Sequence, residues 1–198
     1  ISEEFRTTHD ELCALGPAVS IFGSARFKED NPYYKMAMAI AERLSLDGFN
    51  IVSGGGPGIM EAANRGAYES QARSIGLNIT LPYEQTPNPF ITPELAFRFH
   101  YFAIRKMHFL VRAKALVVFP GGYGTMDELF EVLTLVQTKK MDPIPIILFG
   151  SEFWKRAIDF QFLVDEGMVN EHDLALFKMV DSIEEAFMML QRFHAEHM

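Results

Sequence analysis

The sequence contains a single cysteine, Cys13, among its 198 residues. One cysteine excludes an intramolecular disulfide and a thiol-based metal site, and it is typical of a protein from the reducing cytoplasm. The chain also lacks an apolar run of about 18 residues, the length that a transmembrane helix requires. We therefore expect a cytoplasmic protein with no membrane association and no metal. Targeting is left open, since nothing in the sequence supports it.

Positive charge is also scarce in this chain. It has 18 Lys and Arg residues against 26 Asp and Glu residues, and its net charge at pH 7 is −8. A protein that binds the nucleic-acid backbone needs clustered basic residues, so we do not expect DNA or RNA as a partner. A small anion remains compatible with this charge, because a local group of backbone N–H donors can bind it.

Short apolar runs that favour strands alternate with longer runs of helical periodicity. With 48% hydrophobic residues, the chain can bury one substantial core. This alternation predicts one α/β domain, 1–198, with a doubly wound parallel sheet and helices on both faces. A proline-rich loop is predicted over 82–95. The predicted strands are 18–23, 49–56, 74–81, 97–102, 115–119, 144–150 and 178–181, and the first predicted helices are 32–48, 57–70 and 103–113.

Three of the predicted strands run into turns that contain glycine. The turns read "GSARF" (23–27), "SGGGPGIME" (53–61) and "PGGYGTMDE" (120–128). Because parallel strands end at the same edge of a sheet, these turns predict one anion site built from backbone N–H groups and helix N-termini. The spacing matches neither the G-x-G-x-x-G dinucleotide fingerprint nor the G-K-[ST] of a P-loop. A pocket for a nucleotide-sized monophosphate remains.

Three carboxylates follow the last glycine turn. On a helical wheel, Asp127 and Glu131 share a face, whereas Glu128 lies about 100° from Asp127. We interpret Asp127 as a helix-start carboxylate and Glu131 as a solvated or packing neighbour. Glu128 is expected in the first turn, where the helix dipole keeps it ionised. It is either a similar helix-start residue or a carboxylate that takes part in catalysis. Thr125 is either a hydroxyl donor to the anion or an N-cap.

Basic residues in an otherwise apolar helix also have two interpretations. Arg105 and Lys106 are either surface charges or, in the case of Arg105, a planar fork for phosphate or ribose oxygens. His100 and His108 have no acidic neighbour at metal-ligand spacing, so we expect them in the core or at an interface. We interpret Ser24 mainly as a turn residue, with a hydrogen bond to the ligand as the second interpretation.

The segments "SGGGPGIMEAANRGA" and "PGGYGTMDE", with "IRK" before the second, resemble the LOG ("lonely guy") family, whose members are often labelled lysine decarboxylases. The resemblance covers about 19–181. It implies a Rossmann-like fold, a homodimer and a phosphoribohydrolase that needs no cofactor. Such enzymes cleave the bond between the base and ribose 5′-phosphate in cytokinin nucleotides, AMP or other nucleotides.

The resemblance also implies roles for individual residues. Arg105 and Glu128 correspond to the catalytic pair, with Lys106 beside them in the site. The implied substrate-binding residues are Ser24, Gly54, Gly55, Glu84, Lys106, Gly121, Gly122, Tyr123, Gly124, Thr125 and Thr134. The loop "LPYEQTPNPF" differs from its counterpart in plant members, which leaves the preferred base open.

Three other functions compete with this hydrolase. A non-catalytic nucleotide or molybdenum-cofactor carrier can use the same fold, although a carrier gains nothing from a carboxylate beside an anion. A nicotinamide oxidoreductase is disfavoured by the missing fingerprint. A decarboxylase would require pyridoxal phosphate on a lysine. We expect a homodimer whose interface includes the Arg105 helix or the aromatic segment 97–102.

Overall fold

A computed structural model describes residues 9–12, 14–80, 86–111 and 113–197, so Cys13 and Glu84 lie outside the described residues. Within these ranges a seven-stranded sheet is flanked by helices. The strands are β1 (Ala18–Phe22), β2 (Asn50–Ser53), β3 (Ser74–Ile79), β4 (Ala96–Phe99), β5 (Ala113–Val118), β6 (Ile146–Phe149) and β7 (Lys178–Val180). The longer helices are α1 (Pro32–Leu46), α2 (Ile59–Glu69), α3 (Phe102–Val111), α4 (Tyr123–Gln137), α5 (Ser151–Ala157), α6 (Phe160–Asp165) and α7 (Ile183–His197).

All strand pairs in the sheet are parallel, in the order β4-β3-β2-β1-β5-β6-β7. The chain builds outward from β1 to β4, returns to place β5 on the other side of β1, and continues to β7. Ser20 of β1 thus pairs with Val52 of β2 and with Leu116 of β5. The connections diverge between β1 and β5, where a doubly wound sheet opens a crevice beyond the carboxyl ends of its strands.

Alternate side chains of the central strands support two hydrophobic cores. Val19 and Ile21 of β1 point to the face that α1, α2 and α7 cover. Phe22 of β1 and Leu116 of β5 point to the face covered by α3, α4, α5 and α6. Strands buried on both faces carry near-continuous apolar runs, which is the pattern in the sequence. The predicted α/β fold with helices on both faces is confirmed.

The element boundaries agree with the predicted ones to within a few residues at most. The largest differences are in the predicted strands 49–56 and 97–102, because β2 ends at Ser53, β4 ends at Phe99 and Phe102 begins α3. None of the helices in the described ranges has the length and apolar character needed to cross a membrane.

Candidate active site

The three glycine turns meet beyond the carboxyl ends of β1 and β5, where the backbone of Ser24 forms hydrogen bonds to the other two turns. The Ser24 N–H donates to the Pro120 carbonyl at 3.0 Å, and the Ser24 carbonyl accepts from the Ile59 N–H at 3.0 Å. Ser24 Oγ accepts locally from the Arg26 N–H. Ser24 therefore holds the first turn against the other two.

A cleft of about 320 Å³ lies where these turns converge. Gly54 from the second turn and Gly122 and Gly124 from the third contribute backbone to its wall. The side chains that line it include Arg26, Met60, Asn78, Phe102, Arg105, Thr125, Asp127 and Glu128. The cleft thus collects the predicted catalytic pair and the glycine turns at the switch point of the sheet.

The third turn offers an open cradle at the start of α4. A Cβ added to Gly122 or Gly124 would meet no other atom of the described residues within 4 Å, so both glycines face space that these residues leave open. Gly122 is the N-cap of α4, and no side chain in the described ranges caps the helix. The first N–H groups of a helix have no intrahelical partner, so an anion here would accept from them.

Thr125 and Gly121 complete the cradle in a different way. Thr125 lies within the first turn of α4 and is not its N-cap, which corrects that interpretation. Its side chain occupies the space that a Cβ on Gly121 would need. Gly121 thus makes room for Thr125, whose side chain lines the cleft.

The second turn makes room for two side chains. A Cβ on Gly54 would lie 2.5 Å from Arg105 Nη2 and 2.6 Å from Met60 Sδ. Gly55 has a φ of +71°, and a Cβ there would collide with the carboxamide of Asn78. These two glycines therefore admit Arg105 and Asn78 against the turn.

Arg105 is held by the sheet it overlies. Its Nε donates to the Leu77 carbonyl at 2.7 Å, and its guanidinium carbon lies 5.2 Å from the centre of the Phe109 ring. Burial lowers the pKa of Arg105, and the opposite charge of Glu128 partly offsets this effect. An arginine remains charged under such conditions, so the cleft contains a fixed cation.

Glu128 is buried in the wall of the cleft, with only 6% of its surface exposed. Its Oε2 atom has no hydrogen-bond partner in the described part of the chain. Burial raises the pKa of Glu128 to about 7, with Lys106 and Arg105 opposing this rise and Glu131 and Asp127 adding to it. Since α4 begins at Tyr123, Glu128 lies in the second turn, where burial outweighs the helix dipole.

Lys106 lies beside the cleft and bridges two carboxylates. Its Nζ is 2.7 Å from Asp127 Oδ2 and 2.9 Å from Glu131 Oε2. Burial alone would lower the pKa of Lys106, but the hydrogen bonds to Asp127 and Glu131 outweigh it and raise the pKa. Asp127 and Glu131 are thus ion-pair partners of Lys106. The interpretation of Asp127 as a helix-start carboxylate is wrong, because α4 begins at Tyr123 and has no acidic residue in its first turn.

Five of the residues implied by the resemblance do not line this cleft: Gly55, Lys106, Gly121, Tyr123 and Thr134. Tyr123 is 96% exposed, and neither it nor Thr134 belongs to the lining. The exposed Thr134 donates its hydroxyl to the Phe130 carbonyl at 2.7 Å. Glu84 falls outside the described residues.

The histidines do not form a metal site in the described residues. His108 is buried beside Phe99, with its Nδ1 at 2.7 Å from the Ile104 carbonyl. Across those residues, no cluster of three or more His, Cys, Asp or Glu side chains is placed to hold a metal ion.

Asn78 is the cleft residue that sequence reasoning missed. Asn78 belongs to no recognised motif. Its position near the carboxyl end of a predicted strand is the one sequence signal that could have identified it. Its side chain is 7% exposed and lines the cleft, and its Oδ1 atom has no hydrogen-bond partner within the described ranges.

Comparison with known proteins identifies relatives that act on nucleoside 5′-monophosphates. The pyrimidine/purine nucleotide 5′-monophosphate nucleosidase of Escherichia coli (strain K12) is 30% identical over 152 residues. Those residues are 69% of this chain but 31% of that protein, so the chain spans about a third of the relative's length. The cytokinin riboside 5′-monophosphate phosphoribohydrolase LOG of Oryza sativa subsp. japonica is 26% identical over 180 residues, 88% of this chain and 72% of that protein.

Solved structures share the fold. The molybdenum cofactor binding protein from Rippkaea orientalis superposes with a TM-score of 0.65 over 90% of this chain and 97% of that one, at 18% identity. The family model described as "Possible lysine decarboxylase" matches residues 60–190, well over half of the chain. This chain therefore belongs to the LOG family, which that model describes.

Proposed function

We propose that this chain hydrolyses the N-glycosidic bond of nucleoside 5′-monophosphates and releases the free base and ribose 5-phosphate. The observation that carries the proposal is the buried carboxylate of Glu128 on the same helix as the open cradle at Gly122 and Gly124. A phosphate in that cradle would bring the rest of a nucleotide into the cleft that Glu128 and Arg105 line. No cofactor is proposed.

The chemistry follows from the charge that develops when the bond breaks. As the bond between C1′ and the base nitrogen lengthens, the ribose ring becomes positive, and the ionised form of Glu128 stabilises it. Glu128 also orients a water and removes one of its protons as the oxygen attacks C1′. That water supplies the new hydroxyl on C1′ and the proton that leaves with the base.

The pKa of Glu128 supports such a role. A pKa of about 7 lets one carboxyl group hold or release a proton near neutral pH, which is what a general acid–base group needs. Arg105 is fixed through Nε, which leaves its remaining donors to bind phosphate or ribose oxygens.

The relatives support the reaction class, since they are named as nucleotide 5′-monophosphate nucleosidases and cytokinin riboside 5′-monophosphate phosphoribohydrolases. AMP and cytokinin nucleotides are therefore the proposed substrates, and the cytoplasm is the proposed location. A lysine decarboxylase activity is not proposed. Its lysine must become a neutral nucleophile, whereas Lys106 is paired with two carboxylates that raise its pKa.

A homodimer is part of the proposal. Large apolar side chains are exposed on and beside α3 and α4: Tyr101, Phe102, Met107, Tyr123 and Phe130. Exposed aromatic and methionine side chains that cluster beside a cleft are typical of a subunit interface.

One chromatographic assay tests the proposed reaction. AMP, adenosine, ATP and isopentenyl-adenosine 5′-monophosphate are each incubated with the protein, and free base and ribose phosphate are quantified. We expect release from the monophosphates and little from adenosine, because remote binding of the phosphate holds C1′ against Glu128. The matched Glu128→Gln variant should lose on the order of 10²-fold or more in rate and still bind AMP.

Other outcomes would contradict the proposal. Equal release from AMP and adenosine would refute the phosphate-anchored site. Binding of the monophosphates without base release from any compound would favour the carrier function, to which the likeness to molybdenum cofactor binding proteins contributes the fold alone.

A further inference from the structure

One lining residue of the cleft, Asn78, holds a buried hydrogen-bond acceptor that has no partner in the described ranges. Asn78, near the carboxyl end of β3, is 7% exposed, and its Oδ1 atom has no partner among the residues described. Leaving such an oxygen unsatisfied is costly in a folded protein, so a buried one usually has a hydrogen-bond partner. Asn78 also lines the cleft, so a rotation of its carboxamide about χ2 would present this oxygen to a ligand there.

The backbone around Asn78 is arranged to admit its carboxamide. Gly55 has a φ of +71°, and a Cβ at this position would collide with the Asn78 side chain. The preceding residue, Gly54, admits the Arg105 guanidinium in the same way. The second glycine turn thus holds an acceptor and a cation side by side.

The missing partner must be a hydrogen-bond donor, which excludes the phosphate. A phosphate dianion has only acceptor oxygens, and these would accept hydrogen bonds from the N–H groups at Gly122 and Gly124. In a nucleoside monophosphate the donors are the ribose hydroxyls and the N–H groups of the base. The ribose must lie in the part of the cleft that Glu128 and Arg105 share, because C1′ is its reacting atom.

We propose that Asn78 accepts a hydrogen bond from a ribose hydroxyl and so makes the site selective for ribonucleotides over deoxyribonucleotides. This inference rests on the proposed function, since it places the ribose against Glu128. A site built to bind a hydroxyl rejects an analogue that lacks it, because the buried acceptor is then left unpaired. Asn78 is thus a specificity-determining residue and takes no part in the proton transfers.

The test measures binding of sugar phosphates by calorimetry. The ligands are ribose 5-phosphate and its 2-deoxy and 3-deoxy analogues, which contain neither a base nor a bond to cleave. We expect the wild-type protein to bind ribose 5-phosphate about 10- to 100-fold more tightly than one of the deoxy analogues. Asn78→Leu should abolish this ratio by weakening the ribose 5-phosphate complex while leaving that analogue unchanged.

Asn78→Asp is the matched control, because it keeps an acceptor of the same size. We expect it to lower affinity for all three phosphates through charge repulsion and to preserve their ratio. If Asn78→Leu does not fold, Asn78→Ala removes the same acceptor and should abolish the same ratio. An unchanged ratio in the variants without the acceptor, or none in the wild type, would overturn the proposal. AMP is titrated as a fourth ligand. If Asn78→Leu weakens the binding of AMP alone, Asn78 contacts the base, and this result would also overturn the proposal.

The outcome is separable from that of the base-release assay. Normal hydrolysis of AMP by a wild-type protein that shows no ribose ratio, or whose ratio survives in Asn78→Leu, would refute the role of Asn78 and leave the proposed reaction intact. A ribose ratio that depends on Asn78, without base release from any nucleotide, would support the ribose site and refute the hydrolase.

Discussion

Lys106 Nζ lies 2.7 Å from Asp127 Oδ2, and this ion pair joins α3 to α4 beside the cleft. Glu131, one turn further along α4, is the second partner of the same ammonium group at 2.9 Å. Lys106 does not line the cleft, yet its charge lowers the pKa of Glu128, which burial raises. The structure therefore gives Lys106 a positioning role and an electrostatic effect on Glu128.

Replacement of Lys106 should change the pH dependence of the reaction. Since a positive neighbour favours the ionised form of a carboxyl group, Lys106→Met should raise the pKa of Glu128 above its value of about 7. If ionised Glu128 drives the reaction, the limb of kcat/KM that rises with pH should move up by about one pH unit. The profile is measured between pH 5.5 and 9.5 with AMP.

The exposed Lys140, beyond the end of α4, provides the matched control. Lys140→Met should leave the profile unchanged. A higher KM for Lys106→Met with an unmoved limb would instead show that Lys106 binds the substrate, as the family resemblance implies.

The open cradle predicts that stability and binding change in opposite directions at Gly124. This glycine lies in the first turn of α4, and a Cβ there would meet no atom from the described part of the chain within 4 Å. Alanine is the better helix former, so Gly124→Ala should stabilise the unliganded fold by about 0.5 kcal/mol. The same methyl group would project into the cradle and weaken AMP binding by about 10-fold or more.

Denaturant unfolding without ligand and calorimetric titration with AMP measure the two effects separately. Affinity equal to that of the wild type would place the phosphate elsewhere in the cleft. Lower stability would contradict the open space around Gly124.

The sequence predicted the convergence of the glycine turns because parallel strands end at one edge, and Ser24 indeed connects the three turns. It did not predict the depth of Glu128, since a helical wheel gives an angle and no burial. Once burial is known, a pKa near 7 replaces the expected ionised carboxylate.

Contacts between segments that are distant along the chain also could not be predicted from local sequence patterns. The pairing of Lys106 with Asp127 and Glu131 depends on how α3 and α4 pack, and no spacing along the chain encodes it. The sequence did reveal that Gly54 and Gly55 form a turn. It could not reveal that the absence of side chains at these glycines makes room for Arg105 and Asn78. Arg105 lies on α3 and Asn78 on β3, and both are distant from the turn along the chain.

The exposed apolar residues of α3 and α4 predict a homodimer. Met107 on α3 is 50% exposed, so Met107→Glu should leave the fold intact and shift the protein toward monomers in sedimentation experiments. Met188 on α7 is 55% exposed and lies on the other face of the sheet, which makes Met188→Glu a matched control that should remain dimeric. A wild-type protein that is monomeric at every concentration would contradict this prediction.

The burial of Glu128 predicts that its replacement stabilises the fold at alkaline pH. Its pKa is about 7 in the folded chain, against an ordinary value of 4.5. Between these pH values the folded chain holds the proton and the unfolded chain releases it, so stability falls as the pH rises. At about 1.4 kcal/mol per pKa unit, the cost reaches about 3 kcal/mol above pH 7.

Glu128→Gln removes this cost because the amide does not ionise. We expect the variant to have a Tm about 6–12 °C above that of the wild type at pH 8.5. The difference in unfolding free energy should fall below about 1 kcal/mol at pH 5, where the folded wild type already holds the proton. Calorimetric scans at the two pH values measure this, with Glu42→Gln on the exposed side of α1 as the control that should show no such trend. A Tm difference that is the same at pH 5 and pH 8.5 would mean that Glu128 is not a desolvated carboxylate, and its assignment as the acid–base group of the cleft would lose its physical basis.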